Sequence, residues 1–248
     1  MVEPLFFAAD LELASLGDTF TMSGPEAKHA AVVKRMSAGE AIQLTNGRGL
    51  RVRGTVASSA QEFVVVKVSG AEVEPLPDLH LTLVQALAKG DRDELAIQAA
   101  TELGVSSVIP WQAERSVSRW EGSKIAKSVE RWQQIVQEAA KQALRVYVPT
   151  VLQPVSSKQL VEQVKSFDQA LVLDPTAEIG LFDAELPKRG QVALIVGPEG
   201  GISQAELSAF ENAGAIRVHL GNNILRTSTA GMAAISALQA KVGNYSTK

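Results

Sequence analysis

The sequence predicts an α/β protein: a mostly parallel sheet with helices between its strands, preceded by a smaller β-rich domain. Three observations carry this. Apolar runs of strand length recur near residues 80, 107, 169, 192 and 216, with helical patterning between them. The first 74 residues instead hold short β-branched runs separated by turn chemistry. Between the two regions, Glu74-Pro75-Leu76-Pro77-Asp78 sets two prolines two apart. That spacing disfavours both helix and ladder pairing and gives a stiff, extended connection. The expected domains are therefore 1–74 and 75–248.

In the first domain, Ala41–Leu44, Arg51–Val56 and Glu62–Val68 are the strand candidates, and Phe6-Phe7 belong to the core of an opening strand. Asn46-Gly47 is a strong hairpin signal, and Arg51 to Val56 alternates polar with apolar as a half-buried strand does. One helix is expected over Gly24–Arg35, with Pro25 in its first turn and Gly39 past its end.

The second domain opens with an apolar strand, Leu79–Leu87, followed by Lys89-Gly90-Asp91-Arg92. A helix from Asp93 to Leu103, ended by Gly104, and a strand at Ser107–Pro110 complete a β-α-β unit. Ser123–Leu144 reads as a long helix with Ile125, Val129, Trp132, Ile135, Val136, Ala139 and Ala143 on one face. Its other face carries Lys124, Lys127, Arg131 and Lys141, with Arg145 just beyond. A shorter helix at Ser156–Lys165 and a strand at Gln169–Leu173, ending at Asp174-Pro175, follow.

The C-terminal stretch is the most informative. A strand, Val192–Val196, breaks at Gly197-Pro198-Glu199-Gly200-Gly201, where glycines permit angles and close approaches that a Cβ forbids. Ser203 with Glu206 forms a capping box for a helix over Gln204–Asn212. A strand at Ile216–Leu220 breaks at Gly221-Asn222-Asn223, and a last helix runs from Thr227 to Lys241. Two glycine corners thus deliver main-chain groups to the carboxyl edge of a parallel sheet, where open α/β sheets bind ligands. Each corner alone reads equally as an ordinary strand-to-helix turn.

Composition narrows the classes. The chain has 248 residues, 46% hydrophobic and 21% charged, enough for a sizeable core. It lacks an apolar run near membrane-spanning length, and MVEPLFFAAD lacks the basic start of a signal peptide. The absence of cysteine removes thiolate chemistry and fits a reducing, cytoplasmic setting. With only His29, His80 and His219, scattered, no metal is expected. Neither a P-loop nor a G-x-G-x-x-G fingerprint nor a serine-nucleophile motif occurs. Asn244-Tyr245-Ser246 is a formal sequon that means nothing without secretion. Net charge is −3, yet Trp111–Tyr147 holds Arg115, Arg119, Lys124, Lys127, Arg131, Lys141 and Arg145 against only Glu114, Glu121, Glu130 and Glu138. That excess is either a solvated face or a contact for phosphates.

Read together, GPEGG followed by LG-x-x-ILR-T-x-TA resembles the SPOUT class of RNA methyltransferases. The closest resemblance is to the family that methylates N3 of a uridine in 16S ribosomal RNA. Further blocks agree: H-x-x-x-V-x-R-x-x-x-G from His29 to Gly39, KGDRDELAIQAATELGV, Arg115-Ser116 and E-A-x-x-Q-x-x-R from Glu138 to Arg145. They spread the resemblance over nearly the whole chain. Ser228 departs from it, standing where an acidic residue is expected.

The resemblance implies a C-terminal SPOUT domain, its chain end tied in a trefoil knot around S-adenosylmethionine, with helices on both faces of the sheet and a small PUA-like β-barrel in front. It also implies a homodimer and, as partner, 16S ribosomal RNA of the small subunit. Main-chain groups at Gly197, Gly201, Leu220, Ile224 and Leu225 would hold the donor, with Leu173 as an apolar wall. Pro198, Glu199, Gly200, Gly221 and Asn222 complete the two corners, and Thr229 and Ala230 close the site. Neutral main-chain contacts suit a cationic donor. On the RNA side stand His29, Arg35, Lys89, Arg92, Arg115, Gln142 and Arg145. For His29 the competing reading is packing on a helix face, and for Arg92 a surface pair with a carboxylate.

Arg226 is the catalytic candidate. Uracil N3–H is weakly acidic, and a permanently charged guanidinium stabilises charge developing on the ring oxygens. The alternative is that it orients a loop or binds phosphate. No general base stands out. Met232, Ile235, Leu238 and Val242 on the last helix serve either a partner or the chain's own core. Two other functions remain open: a non-catalytic RNA-binding or ribosome-assembly protein, and a knotted methyltransferase acting on tRNA ribose. The β-rich first domain and the KGDR and E-A-x-x-Q-x-x-R blocks argue against the second.

Overall fold

The computed structural model describes residues 2–13 and 17–243, so the Asn244-Tyr245-Ser246 sequon lies outside the described residues. The chain forms two compact units. The first takes the residues up to Leu76 and also Ala140–Val148; the second takes Pro77–Ala139 and the chain from Pro149 onward.

The first unit contains β1 (Leu5–Phe7), β2 (Thr19–Ser23), α1 (Gly24–Lys28), β3 (Ala41–Thr45), β4 (Leu50–Ala60) and β5 (Phe63–Val73). Its sheet has the order β1-β3-β4-β5-β2, parallel only between β1 and β3. Register shifts at Arg53/Gly54 and Val56/Ser58 add bends that let the long β4–β5 ribbon curl. One core results, in which Ala27 and Ala30 pack with Phe6, Leu44, Val52 and Val66. The β3–β4 turn follows the Asn-Gly signal: Asn46 Oδ1 accepts from the Arg48 N–H at 2.9 Å, and Gly47 has φ +76°.

Two features of this unit differ from expectation. The helix expected over Gly24–Arg35 ends at Lys28. Residues His29–Val33 then widen into a π-helical turn, with Lys34 N donating to His29 O at 2.9 Å, and Met36 returns to the core. The second difference concerns residues 140–148. Leu144 adopts φ +56°, after which Tyr147 pairs with Arg48 and Val148 N donates to Gly47 O at 3.1 Å. Here a Cβ on Gly49 would stand 2.2 Å from the Tyr147 hydroxyl, so only glycine fits.

The second unit contains β6 (Leu79–Ala86), α2 (Arg92–Glu102), β7 (Ser107–Gln112), α3 (Lys124–Gln142, its last turn in the first unit), β8 (Thr150–Val151), β9 (Val155–Ser156), α4 (Ser157–Val164), β10 (Gln169–Leu173), β11 (Gly190–Val196), α5 (Gln204–Asn212), β12 (Ile216–Val218) and α6 (Thr227–Lys241). Its sheet is parallel throughout, in the order β12-β10-β11-β6-β7-β8 with β9 beside β7. Successive side chains of a strand face opposite ways. Val84, Ile109, Val172 and Ile195 therefore meet Leu160 of α4 and Phe210 of α5 on one face. On the other, Leu83 and Val196 lie against Gly231 of α6, and α2 packs beside α6.

All strand ends consequently share one carboxyl edge. Residues between β10 and β11 run alongside chain that comes later, in a parallel bridge: Leu181 N donates to His219 O at 3.0 Å and His219 N to Ile179 O at 2.9 Å. Lys241 Nζ reaches the carbonyl of Phe182 at 2.6 Å.

Candidate active site

A cavity of 690 Å³ opens at the carboxyl edge of the parallel sheet. The residues that line it come from the chain after β6, β7, β10, β11 and β12. The first glycine corner is tight: a Cβ on Gly197 would lie 2.6 Å from Ile202 Cγ1, and Gly201 has φ +74°. In the second corner Gly221 has φ +95°, and its N–H donates to His219 Nδ1 at 3.0 Å. The start of α6, which follows the second corner, is tied to the first: the Thr227 hydroxyl donates to Gly197 O at 2.8 Å.

Three polar networks brace this rim. After β10, Asp174 is buried and accepts from Thr176 N at 2.9 Å and from Arg217, whose Nη2 lies at 2.6 Å. Burial pushes its carboxyl up, but the Thr176 bonds and the Arg217 guanidinium outweigh burial and hold it below the ordinary value.

At the start of α5, Glu206 serves both its own helix and its neighbours. One oxygen completes the capping box by accepting from Ser203 N. The other accepts from Glu114 N at 2.8 Å and from the Ser157 hydroxyl. These bonds outweigh the upward push of burial and keep this carboxyl low as well. They also fix the loop after β7, whose Arg115 Nη1 donates to Gly200 O at 3.2 Å.

The third network joins the loop after β6 to the first corner. Glu199 accepts from Lys89 N at 3.0 Å and from Arg92 Nη1 at 2.8 Å. Its carboxyl lies below the ordinary value: burial raises it, and the Glu199 and Lys89 N–H groups with Arg92 more than offset that.

The residues read from the sequence sort clearly. Leu173, Gly197, Pro198, Glu199, Gly201, Leu220, Gly221, Ile224, Leu225, Ala230 and Arg226 all line the cavity, with Arg92 and Arg115 beside them. Gly200 instead packs against Arg115, with Asn223 rather than Asn222 on the wall, and Thr229 turns its hydroxyl back to Arg226 O. Lys89 contributes its main chain to Glu199. Missed were Asp174, Thr176 and His219, whose places depend on side-chain bracing that strand periodicity does not report.

His29, Arg35, Gln142 and Arg145 belong to the first unit. His29 stacks edge-on against Phe6, ring centroids 5.9 Å apart. Arg35 is exposed in a left-handed conformation, φ +54°. Gln142 is exposed, while Arg145 is half-buried and burial lowers its pKa to about 10, still charged at neutral pH. Lys141, read on a helix face that either meets solvent or contacts phosphates, is 4% exposed and pairs with Glu26 at 2.8 Å. Arg131 on that face is paired with Glu94. On α6, Ile235 and Leu238 are spent in the unit's own core.

Residues 74–239 match the family described as RNA methyltransferase domain, and residues 23–69 match the RNA methyltransferase PUA domain. The chain belongs to this RNA methyltransferase family. Among its relatives, the ribosomal RNA small subunit methyltransferase E of Mycobacterium bovis is 37% identical over 96% of this chain and 92% of its own. That of Bacillus subtilis is 35% identical over 89% of each chain. The crystal structure of a ribosomal RNA small subunit methyltransferase E from Neisseria gonorrhoeae bound to S-adenosyl methionine superposes with a TM-score of 0.86, at 30% identity over 96% of this chain and 98% of that one. The methyltransferase therefore has both the parallel sheet and the PUA-type unit of its family, and its two glycine corners fall inside the matched RNA methyltransferase domain.

Proposed function

We propose that this chain transfers a methyl group from S-adenosylmethionine to N3 of a uridine in 16S ribosomal RNA. The observation that carries the reading is one cavity shared by both glycine corners, in a chain whose relatives are small-subunit RNA methyltransferases. The lining residues fit the donor. Leu173, Val196, Val218 and Leu220 offer apolar walls to an adenosine, and the corners offer main-chain groups at Gly197, Gly201, Ile224 and Leu225. The buried carboxylate of Asp174 is already taken by Arg217 and Thr176. When bound, S-adenosylmethionine supplies a methyl group on a sulfonium leaving group.

The chain's own residues then position the acceptor, the larger part of what such a transfer needs. Arg226, exposed at the N-cap of α6 and facing the cavity, stabilises negative charge on the uracil oxygens as N3 gives up its proton to water and takes the methyl group. Arg92 and Arg115 stand at the rim for the RNA backbone, held there by Glu199 and Gly200. Lys89 sits beside them. In the N-terminal domain, His29 and Arg35 contact the RNA, as do Gln142 and Arg145, which the fold adds to that unit. The working assembly is a homodimer in the cytoplasm, acting on the small ribosomal subunit.

The test is nucleoside mass spectrometry on 16S ribosomal RNA, purified or in small subunits, from cells lacking the modification. Added protein and S-adenosylmethionine should produce 3-methyluridine. A ribose-methylated product, or none, would contradict the assignment.

A further inference from the structure

Gln85 lies at the end of β6, fully buried, and does not line the cavity. Its amide nitrogen donates to Thr227 Oγ1 at 2.9 Å and to Ala86 O at 3.1 Å. Thr227 in turn donates to Gly197 O at 2.8 Å. The direction of this chain is forced. Gly197 O can only accept, so the threonine hydroxyl must spend its hydrogen there and offer a lone pair to Gln85. Ala86 O also can only accept. Both partners therefore require N–H from the same amide. Its oxygen, Oε1, meets no donor among the described protein groups.

A buried amide that leaves its oxygen without a protein partner costs stability unless something else is gained. The gain is visible in the geometry. Through one hydroxyl, Gln85 ties the N-terminus of α6, which follows the second glycine corner, to the carbonyl of the first. We propose that Gln85 is a positioning residue for the methyl donor, setting the separation of the two corners through Thr227 without touching the ligand. The inference rests on the donor site assigned above.

Calorimetric titration with S-adenosylmethionine tests it, alongside the thermal midpoint and the KM values for donor and RNA. Gln85→Met keeps the volume and removes the amide. Donor binding should weaken about tenfold, the scale of one hydrogen bond, with the donor KM rising in step. The RNA KM should be unchanged. Thr227→Val should weaken donor binding similarly, and Thr227→Ser, which restores the hydroxyl, should recover it. Wild-type affinity in Gln85→Met would overturn the inference. So would equal affinities in the two Thr227 variants, which decide the matter should Gln85→Met fail to fold. Failure of the wild-type protein to bind S-adenosylmethionine would overturn the donor site itself, a separate result.

Discussion

Glu206 Oε1 accepts the main-chain N–H of Glu114 at 2.8 Å, across 92 residues of sequence. A capping-box glutamate normally serves only its own helix. This one holds the start of α5 against the loop that carries Arg115 to the cavity rim. Glu206→Ala leaves the N–H groups of Ser203 and Glu114 short of an acceptor, and should cost about 1–3 kcal/mol in urea unfolding. Because Arg115 loses its anchor, methylation at low RNA concentration should fall more than the affinity for S-adenosylmethionine does. Glu114→Gln, a surface change that weakens only the bond from the Ser203 hydroxyl, should show a milder form of the same pattern.

The two Thr176 bonds and, after them, Arg217 keep Asp174 ionised. Removing it as Arg217→Ala leaves a carboxylate that is 7% exposed without its countercharge, a loss of about 3 kcal/mol. The sign with pH follows from the lowered folded-state value. Asp174 contributes stability above its ordinary pKa of 3.8 and loses it as pH falls through the folded value. Glu206 and Glu199 do the same below 4.5. Wild-type stability should therefore decline on acidification below about that range, and Arg217→Ala should flatten the most acidic part of the decline. A pH series of unfolding midpoints measures both.

Lys141 separates a structural cation from an RNA-binding one. Nearly buried against Glu26, it should cost about 3 kcal/mol when changed to alanine. The salt dependence of RNA binding should keep its slope, since no phosphate contact is lost. A shallower slope in Lys141→Ala, with unchanged unfolding, would place this side chain on the RNA instead.

Arg226 is proposed to act in the transition state. Arg226→Ala should lower turnover about 100-fold, the usual cost of losing one charge-stabilising donor. Affinity for S-adenosylmethionine should stay within a factor of a few. Single-turnover rates beside calorimetry make the comparison, and equal losses in both would assign Arg226 to binding.

Much of this architecture was legible in the residues themselves. The bounds of α5 and α6 coincide with the readings from Ser203-x-x-Glu206 and from the run after Arg226, because caps and glycine breaks are local signals. Both corners were legible for the same reason. The strand at Thr19–Ser23 was missed, since five residues of mixed polarity between turns carry little periodicity. That residues 140–148 pack with the first unit was not legible, because helical spacing says which side chains share a face but not what covers that face. Lys141 repeats at the right interval for a solvated stripe, yet Glu26, 115 residues away in sequence, buries it. Likewise Asp174 announced a strand end, while its pairing with Arg217 required β12 to lie beside β10.

The two glycine corners forming one donor site is the proposition on which the function rests, and a crystal structure of this protein grown with S-adenosylmethionine addresses it most directly. The nucleoside should lie between residues 197–201 and 220–225, bonded mainly to main-chain groups, with Leu173 against the adenine. Density for the donor elsewhere, or held by only one of the two corners, would contradict it.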